Sequence, residues 1–203
     1  DQESPDSDRI LVGIPAYNEE IGIGSTILAA QQYSDTVVVV DDGSADNTVS
    51  VAAQTEANVI EHKENVGKGG AVQTIFEYAY GHDFDALVLL DADGQHVPEE
   101  IPDVAQPVLD DDVDMTIGSR YVEADQTEKP LYRRFGQQVL DVLTTGSTNS
   151  ELTDTQSGFR AFSPEAVDEL TLSTDGIGVE SEMISEAAEK GLELDEVPID
   201  VRY

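Results

Sequence analysis

The chain has 203 residues, 39% of them hydrophobic, so it is long enough to bury the core of one sizeable domain. Its 43 acidic and 10 basic side chains give a net charge of −33, which argues against nucleic-acid binding because that function needs a basic surface. The absence of cysteine excludes disulfides, thiolate metal sites and a cysteine nucleophile.

The first half of the chain alternates between apolar runs and helical patterns. Residues 1–8 are polar and acidic, and we expect a flexible arm there. Ile10–Ile14 predicts a strand that ends at a Pro-Ala-Tyr-Asn turn, where Asn18 is expected to cap a helix running to about Tyr33. The unbroken β-branched run Val37–Val40 is typical of a parallel strand buried on both faces. A helix and a strand should follow it, at 47–55 and 59–60.

A glycine-rich loop at Asn65–Gly70 opens a helix that should end near Tyr80. Glycine lets the backbone approach a ligand closely, and the N-terminus of a helix favours anions. The loop matches neither the Walker pattern nor the dinucleotide fingerprint, so by itself it is a weak signal for phosphate binding.

The apolar run Leu87–Leu90 leads directly into Asp91 and Asp93, and Gly94 follows. Such a run predicts a buried strand, and ligands of open α/β sheets bind beyond the carboxyl ends of the strands. Because side chains alternate along a strand, we expect the two carboxylates on one side, with Cα atoms about 7 Å apart. A divalent cation would relieve their repulsion, since Mg²⁺ is typically held by one or two carboxylates and substrate phosphates. A solvated acidic turn is the alternative.

The remaining elements continue the alternation. A helix should begin at Pro98, where Pro102 and Pro107 are expected to divide it into short segments, and Met115–Ser119 predicts the next strand. Further helices are predicted at about 131–145, from Ser163 and at 179–190, with a terminal strand at 192–201. The alternation predicts an α/β fold with a mostly parallel central sheet flanked by helices.

Four of the ten basic residues lie close together in the sequence: Arg120, Lys129, Arg133 and Arg134. Arginine suits phosphate because its planar guanidinium presents a fork of donors. A parallel sheet would bring Arg120 to the same edge as the polar strand ends at 18–19, 41–42 and 91–95. The combination predicts a site for a nucleoside diphosphate, and pairing of the arginines with surface carboxylates is the alternative.

At these motifs the sequence resembles the family-2 glycosyltransferases, specifically the dolichyl-phosphate and polyprenyl-phosphate sugar synthases. The matching stretches follow the order of the family and cover nearly the whole chain, at 14–20, 40–44, 65–70, 90–96, 118–121, 156–160 and 196–199. One of them alone would be weak, but the set is specific. The resemblance implies the nucleotide-binding α/β fold called GT-A.

The resemblance also implies roles for individual residues. On the donor nucleotide it places Pro15, Tyr17, Asn18, Glu19, Val40 and Asp42. The stretch Asp91-Ala92-Asp93 matches the Asp-x-Asp signature, which implies an Mg²⁺ or Mn²⁺ ion on Asp91, Asp93 and Gln95. Phosphate contacts are implied for Arg120, for Arg133 or Arg134 at the acceptor, for Arg202 at the donor diphosphate, and for Lys68.

The implied reaction transfers a sugar, with inversion, from a UDP- or GDP-linked donor to a dolichyl or polyprenyl phosphate and feeds protein glycosylation. A phosphate monoester has a second pKa of about 6, so this acceptor needs positioning more than it needs a base. A glycan hydroxyl is the alternative acceptor and would need a base, for which Asp154 is the candidate. A non-catalytic domain that binds nucleotide sugars is another alternative. We expect surface or supporting roles for His62, His82 and His96.

We expect residues 9–203 to form a single domain of this kind. A lipid acceptor implies work at the membrane surface, so the expected location is the cytoplasmic face of the cell membrane. The protein would bind there peripherally or through segments outside this chain. The sequence starts without methionine and stops directly after a strand-like stretch, so we expect a piece excised from a longer membrane-associated protein.

The acidic surface is spread along the whole chain, which is typical of a halophilic archaeal protein whose self-repulsion is screened by counter-ions. We therefore predict partial or complete unfolding at low ionic strength. In a melting series, the midpoint of thermal unfolding should rise as KCl is added. A midpoint that does not respond to KCl would contradict adaptation to high salt.

Overall fold

The computed structural model describes residues 8–122, 152–173 and 178–200. Its strands are β1 (Ile10–Ala16), β2 (Thr36–Asp41), β3 (Asn58–Glu61), β4 (Ala86–Leu89), β5 (Met115–Ser119), β6 (Arg160–Phe162) and β7 (Leu194–Pro198). The helices of these ranges are α1 (Ile23–Ala30), α2 (Thr48–Ala52), α3 (Lys68–Tyr80), α4 (Ile101–Leu109), α5 (Pro164–Glu169) and α6 (Val179–Lys190). A 3₁₀ turn at Pro98–Glu100 leads into α4.

The strands form one seven-stranded sheet in the order β3-β2-β1-β4-β6-β5-β7. All neighbouring pairs are parallel except those of β6, which runs antiparallel to both β4 and β5. The predicted mostly parallel sheet is therefore confirmed. Because neighbouring strands are about 4.8 Å apart, the inserted β6 separates the ends of β4 and β5 by about 10 Å.

Alternate residues of the central strands pack into two different hydrophobic layers. Val38 and Val40 of β2 join the layer formed with α3, α5 and α6. Val37 and Val39 join the layer formed with α1, α2 and α4. Since helices cover both faces of the sheet, every side chain of an interior strand is buried, and apolar residues at every position stabilise the fold. This is the reason for the unbroken valine run.

Two predicted helix features are wrong. Helix α1 begins at Ile23 without a side-chain cap, and Asn18 lies four residues before Gly22. Asn18 has a φ of +54°, and its Oδ1 accepts a hydrogen bond from the backbone N–H of Ala45 at 2.9 Å, so it links the loops after β1 and β2. The prolines do not divide α4, because Pro102 lies in the first turn, where its missing N–H has no intrahelical partner to lose, and Pro107 is accommodated inside the helix.

Several predictions concern residues outside the described ranges. They are most of the acidic arm, the helix at 131–145 and the last residue of the terminal strand, Val201. Within the described ranges, none of the helices has the length and apolarity needed to cross a bilayer.

Candidate functional site

A cleft with a volume of about 350 Å³ opens at the carboxyl edge of the sheet, beyond β1, β2 and β4. Its lining comes from the loops after these strands and from the start of α3: Pro15, Ala16, Tyr17, Glu19, Asp42, Asn65, Gly67, Lys68, Ala71, Asp91, Ala92 and Asp93. The structure thus brings together most of the described residues that the sequence predicted for donor binding. The strand β4 ends at Leu89, so the Asp-x-Asp stretch is a turn, yet both carboxylates still face this cleft.

The other predicted site residues lie elsewhere. Val40 is fully buried in the core and does not line the cleft, and the side chain of Asn18 is used in the loop contact with Ala45. Gln95 is exposed, and its backbone N–H donates to Asp93 Oδ1 at 3.0 Å. Three predicted arginines and one lysine fall outside the described residues: Arg133, Arg134, Arg202 and Lys129.

Asp91 is paired on both of its carboxylate oxygens. Lys68 Nζ lies 2.6 Å from Oδ1, and His96 Nε2 lies 3.3 Å from Oδ2. Burial by itself would raise the pKa of Asp91, but the hydrogen bond from His96 and the charge of Lys68 outweigh it and hold this pKa well below its usual range. Asp91 is therefore a fixed anion, and the alternative of a solvated acidic turn does not describe it.

Lys68 also connects the cleft to α6. Its Nζ lies 2.7 Å from Glu180 Oε1, near the start of that helix. Burial would lower the pKa of Lys68, but the neighbouring carboxylates of Asp91 and Glu180 raise it above its ordinary value. A cation is thus held between two anions at the N-terminus of α3, where a phosphate group would also be favoured.

Arg160, the first residue of β6, pairs with Leu89 of β4 and has no exposed surface. Its guanidinium donates hydrogen bonds to the backbone oxygens of Ser157 at 2.8 Å, Glu180 at 2.7 Å and Thr155 at 2.9 Å. Burial lowers the pKa of Arg160 to about 10, against the opposing charges of Glu180, Asp154 and Asp91. Arg160 is therefore still a cation at neutral pH, and it joins the start of α6 to the loop before β6.

The loop before β6 passes close to Asp91. A Cβ atom added to Gly158 would overlap the carboxylate of Asp91. Glycine is thus required at this position by the close approach of the two segments. The Gly-Phe-Arg stretch thus has its glycine beside Asp91 and its arginine bonded to backbone oxygens.

The carboxylates of the cleft suit a hard divalent cation. Burial and the nearby charges of Asp93, Asp46 and Asp91 raise the pKa of Glu19, so several carboxylates lie close together at this end of the cleft. In the part of the chain that the structure describes, no group of three or more His, Cys, Asp or Glu side chains could hold a metal alone. Mg²⁺ needs only one or two carboxylates when substrate phosphates complete its shell, so Asp91 and Asp93 fit such an ion.

Arg120 follows β5 at the same edge of the sheet and is held by Asp154. Oδ2 and Oδ1 of Asp154 accept hydrogen bonds from Nε and a terminal nitrogen of Arg120, at 2.6 and 2.9 Å. Asp154 is buried, and although burial raises its pKa, the hydrogen bonds and charge of Arg120 lower it overall. The backbone N–H of Asp154 donates to the buried carboxylate of Glu196 at 2.9 Å. Asp154 is thus placed to anchor an arginine and is poorly placed to act as a base.

Sequence reasoning gave His62 only a surface or supporting role, and it gave no role to Arg160 or Glu180. His62 bridges Asp42 and Thr74, a contact that a lone histidine after a short strand does not reveal. Arg160 and Glu180 lie 20 positions apart in the sequence and meet because the guanidinium donates to the backbone oxygen of Glu180 at the start of α6. Glu180 carries no sequence signal beyond its charge, whereas Arg160 belongs to the stretch at 156–160 that resembles the family.

Comparison with known proteins identifies relatives over nearly the whole chain. Residues 11–171 match the family described as Glycosyl transferase family 2. The chain is 34% identical over 215 residues to the UDP-N-acetylglucosamine–dolichyl-phosphate N-acetylglucosaminyltransferase of Methanococcus voltae, covering 96% of this chain and 86% of that protein. It is 30% identical over 202 residues to the undecaprenyl-phosphate mannosyltransferase of Micrococcus luteus, covering 94% of this chain and 82% of that protein.

A solved structure shares the fold. It is the crystal structure of glucosyl-3-phosphoglycerate synthase from Mycobacterium tuberculosis in complex with Mn²⁺, uridine diphosphate and phosphoglyceric acid. The TM-score is 0.70 at 21% identity, covering 97% of this chain and 70% of that one. The likeness confirms the predicted GT-A architecture. The family match over residues 11–171 shows that the chain is a glycosyltransferase of family 2.

Proposed function

We propose that this glycosyltransferase transfers a sugar, with inversion, from a UDP- or GDP-linked donor to a dolichyl or polyprenyl phosphate, and that it feeds protein glycosylation. The observation that carries the proposal is the cleft in which Asp91, Asp93 and Lys68 meet beyond the strand ends. The anchored Arg120 at the same edge supports a phosphate acceptor. Two relatives that act, by name, on dolichyl and undecaprenyl phosphates support it further.

The donor nucleotide lies in the cleft, with its base and ribose against Pro15, Tyr17, Glu19 and Asp42. Lys68 faces the diphosphate, because its amine stands at the N-terminus of α3. Further donor contacts are assigned by the resemblance to Asn18, Ala92 and Arg202, whereas the buried Val40 is excluded from such a contact. Asp91, Asp93 and Gln95 would hold Mg²⁺ or Mn²⁺, which neutralises the charge growing on the leaving diphosphate.

The reaction requires that the acceptor phosphate, which is the attacking anion, is held in position. An oxygen of the acceptor phosphate forms the new bond to the anomeric carbon while the bond from that carbon to the diphosphate breaks. The electron pair leaves with the nucleoside diphosphate. Arg120, fixed by Asp154, orients the acceptor phosphate, with Arg133 or Arg134 as a second contact. No proton has to be removed, because a phosphate monoester is already ionised at neutral pH.

The setting of the enzyme follows from the acceptor and the charge. We assign residues 9–203 to one catalytic domain and residues 1–8 to an acidic arm. The lipid acceptor places the protein at the cytoplasmic face of the cell membrane, bound peripherally or through segments outside this chain. The net charge of −33 supports a halophilic source and work in high salt.

The proposal is tested by measuring release of nucleoside diphosphate in molar KCl with Mg²⁺ or Mn²⁺. UDP- and GDP-linked sugars are compared, each with and without a polyprenyl phosphate. We expect release that depends on the lipid phosphate and on one of the two nucleotides. Release that requires a glycan instead would assign the hydroxyl acceptor. Tight donor binding without turnover under any condition would support a non-catalytic binding domain.

A further inference from the structure

His62 follows β3 directly, and its ring lies between two elements of the donor cleft. Nδ1 is 2.8 Å from Oδ1 of Asp42, the buried residue that follows β2. Nε2 is 2.9 Å from Oγ1 of Thr74, on α3. The backbone N–H of His62 also donates to the backbone oxygen of Asp41 at 2.8 Å. The ring therefore joins the end of β2 to α3 across the end of β3.

Most of the hydrogen-bonding capacity of the Asp42 carboxylate is taken up by groups of the protein itself. Besides His62, Oδ1 accepts a hydrogen bond from the backbone N–H of Val66 at 3.0 Å, and Oδ2 accepts one from Gly67 at 2.8 Å. A carboxylate offers about four lone-pair sites, so His62, Val66 and Gly67 occupy about three of them. The residue that the resemblance places on the donor nucleotide is thus also the residue that holds the glycine-rich loop.

The loop at 65–67 is closely fitted between Asp42 and α3. A Cβ atom added to Gly43 would lie 2.9 Å from the backbone nitrogen of Asn65, so the loop after β2 touches the glycine-rich loop. Gly67 precedes Lys68, the first residue of α3, whose amine contacts Asp91. A shift of this loop would therefore move both the N–H groups at the start of α3 and the amine of Lys68.

We propose that His62 is a positioning residue of the donor site: by holding Asp42, it fixes the 65–67 loop and the start of α3 in the geometry that receives the donor. This inference rests on the proposed function. It assigns His62 no contact with the substrate and no part in proton transfer. Its effect should therefore fall on donor affinity and leave the acceptor site unchanged.

The two ring contacts can be separated by substitution. The carboxylate of Asp42 accepts, so Nδ1 must donate. Thr74 Oγ1 also lies 3.1 Å from the backbone oxygen of Gly70, so its single proton can turn to Nε2 or to that oxygen. The Asp42 contact thus needs an N–H at the Nδ1 position whatever the state of Nε2. An asparagine amide reaches the Nδ1 position, and a glutamine amide reaches only the Nε2 position.

The test compares His62→Asn with His62→Gln, two amides that differ only in reach. The Kd of UDP and of GDP with Mg²⁺ is measured in molar KCl, followed by donor and acceptor KM and kcat. A hydrogen bond to a charged group is worth roughly tenfold in an equilibrium, so His62→Gln should weaken donor binding and raise donor KM about tenfold. His62→Asn should stay within about threefold of the wild type, and neither variant should change the acceptor KM.

Amide hydrogen exchange at Val66 and Gly67 gives a readout that does not depend on activity. Exchange at both amides should accelerate in His62→Gln and remain slow in His62→Asn. Equal donor affinity and equal exchange in the two variants would overturn the proposal, as would a loss that affects donor and acceptor alike. If the wild type binds neither UDP nor GDP, the proposed function fails, and the exchange rates still decide whether His62 positions the loop.

Discussion

Substitution of Asp93 by asparagine should lower kcat/KM for sugar transfer by about 10³-fold. A metal ion at a leaving diphosphate stabilises the transition state by several kcal/mol, and each 1.36 kcal/mol is a factor of ten in rate. Asparagine can still accept the hydrogen bond from the backbone N–H of Gln95, so the turn should survive while the charge is lost. The measurement is nucleoside diphosphate release as a function of Mg²⁺ or Mn²⁺ concentration.

Asp83→Asn is the matched control, because it removes the same charge from a side chain that is 92% exposed and lies outside the cleft lining. It should retain wild-type activity. The Asp93 variant should melt at or above the wild-type temperature, since Asp93 is exposed and its charge repels the nearby carboxylate of Glu19. Full activity of Asp93→Asn at every metal concentration would remove Asp93 from the metal site.

Substitution of Arg160 by methionine should destabilise the fold by about 3–5 kcal/mol, because removing one partner of a buried charged network leaves polar groups without compensation. Three backbone oxygens would lose their donors, those of Ser157, Glu180 and Thr155. The nearby charges of Glu180, Asp154 and Asp91 would lose the cation that now opposes them. Urea unfolding at constant molar KCl measures the change.

Arg9→Met is the control for this experiment, since it makes the same substitution at a side chain that is 48% exposed and pairs with Asp85. Exposed ion pairs contribute about 0–1 kcal/mol, so its unfolding midpoint should hardly move. Equal effects of the two substitutions would mean that the buried guanidinium contributes no more to stability than a surface charge.

The sequence predicted features that depend on local patterns. The Val37–Val40 run predicts a strand covered on both faces, and helices indeed cover both faces of β2. Polar residues after β1, β2 and β4 predict a shared site because parallel strands end at one edge, and Tyr17, Asp42 and Asp91 line one cleft there. Both inferences need only the period of the side chains and the direction of the strands.

Features that depend on contacts between distant segments were not predictable in this way. The strand β6 has three residues, too few to show a period, and its antiparallel insertion is decided by its partners. The sequence makes Asp154 a candidate base. Only the structure shows that Arg120 donates hydrogen bonds to both of its carboxylate oxygens. Asparagine is a residue type that often caps helices. The side-chain oxygen of Asn18 instead accepts a hydrogen bond from the backbone N–H of Ala45 in the neighbouring loop.

The position of β6 has a consequence for the order in which the chain can fold. Strands β1 to β4 pair among themselves, so this half of the sheet can assemble as soon as it is synthesised. The next strand made, β5, cannot join it, because Leu87 of β4 pairs with Phe162 and Met115 of β5 pairs with the same residue. Strands β4 and β5 are thus joined by β6, a strand synthesised after both of them. Until β6 arrives, β4 presents an unpaired apolar edge, which is the kind of surface that makes nascent chains prone to aggregation.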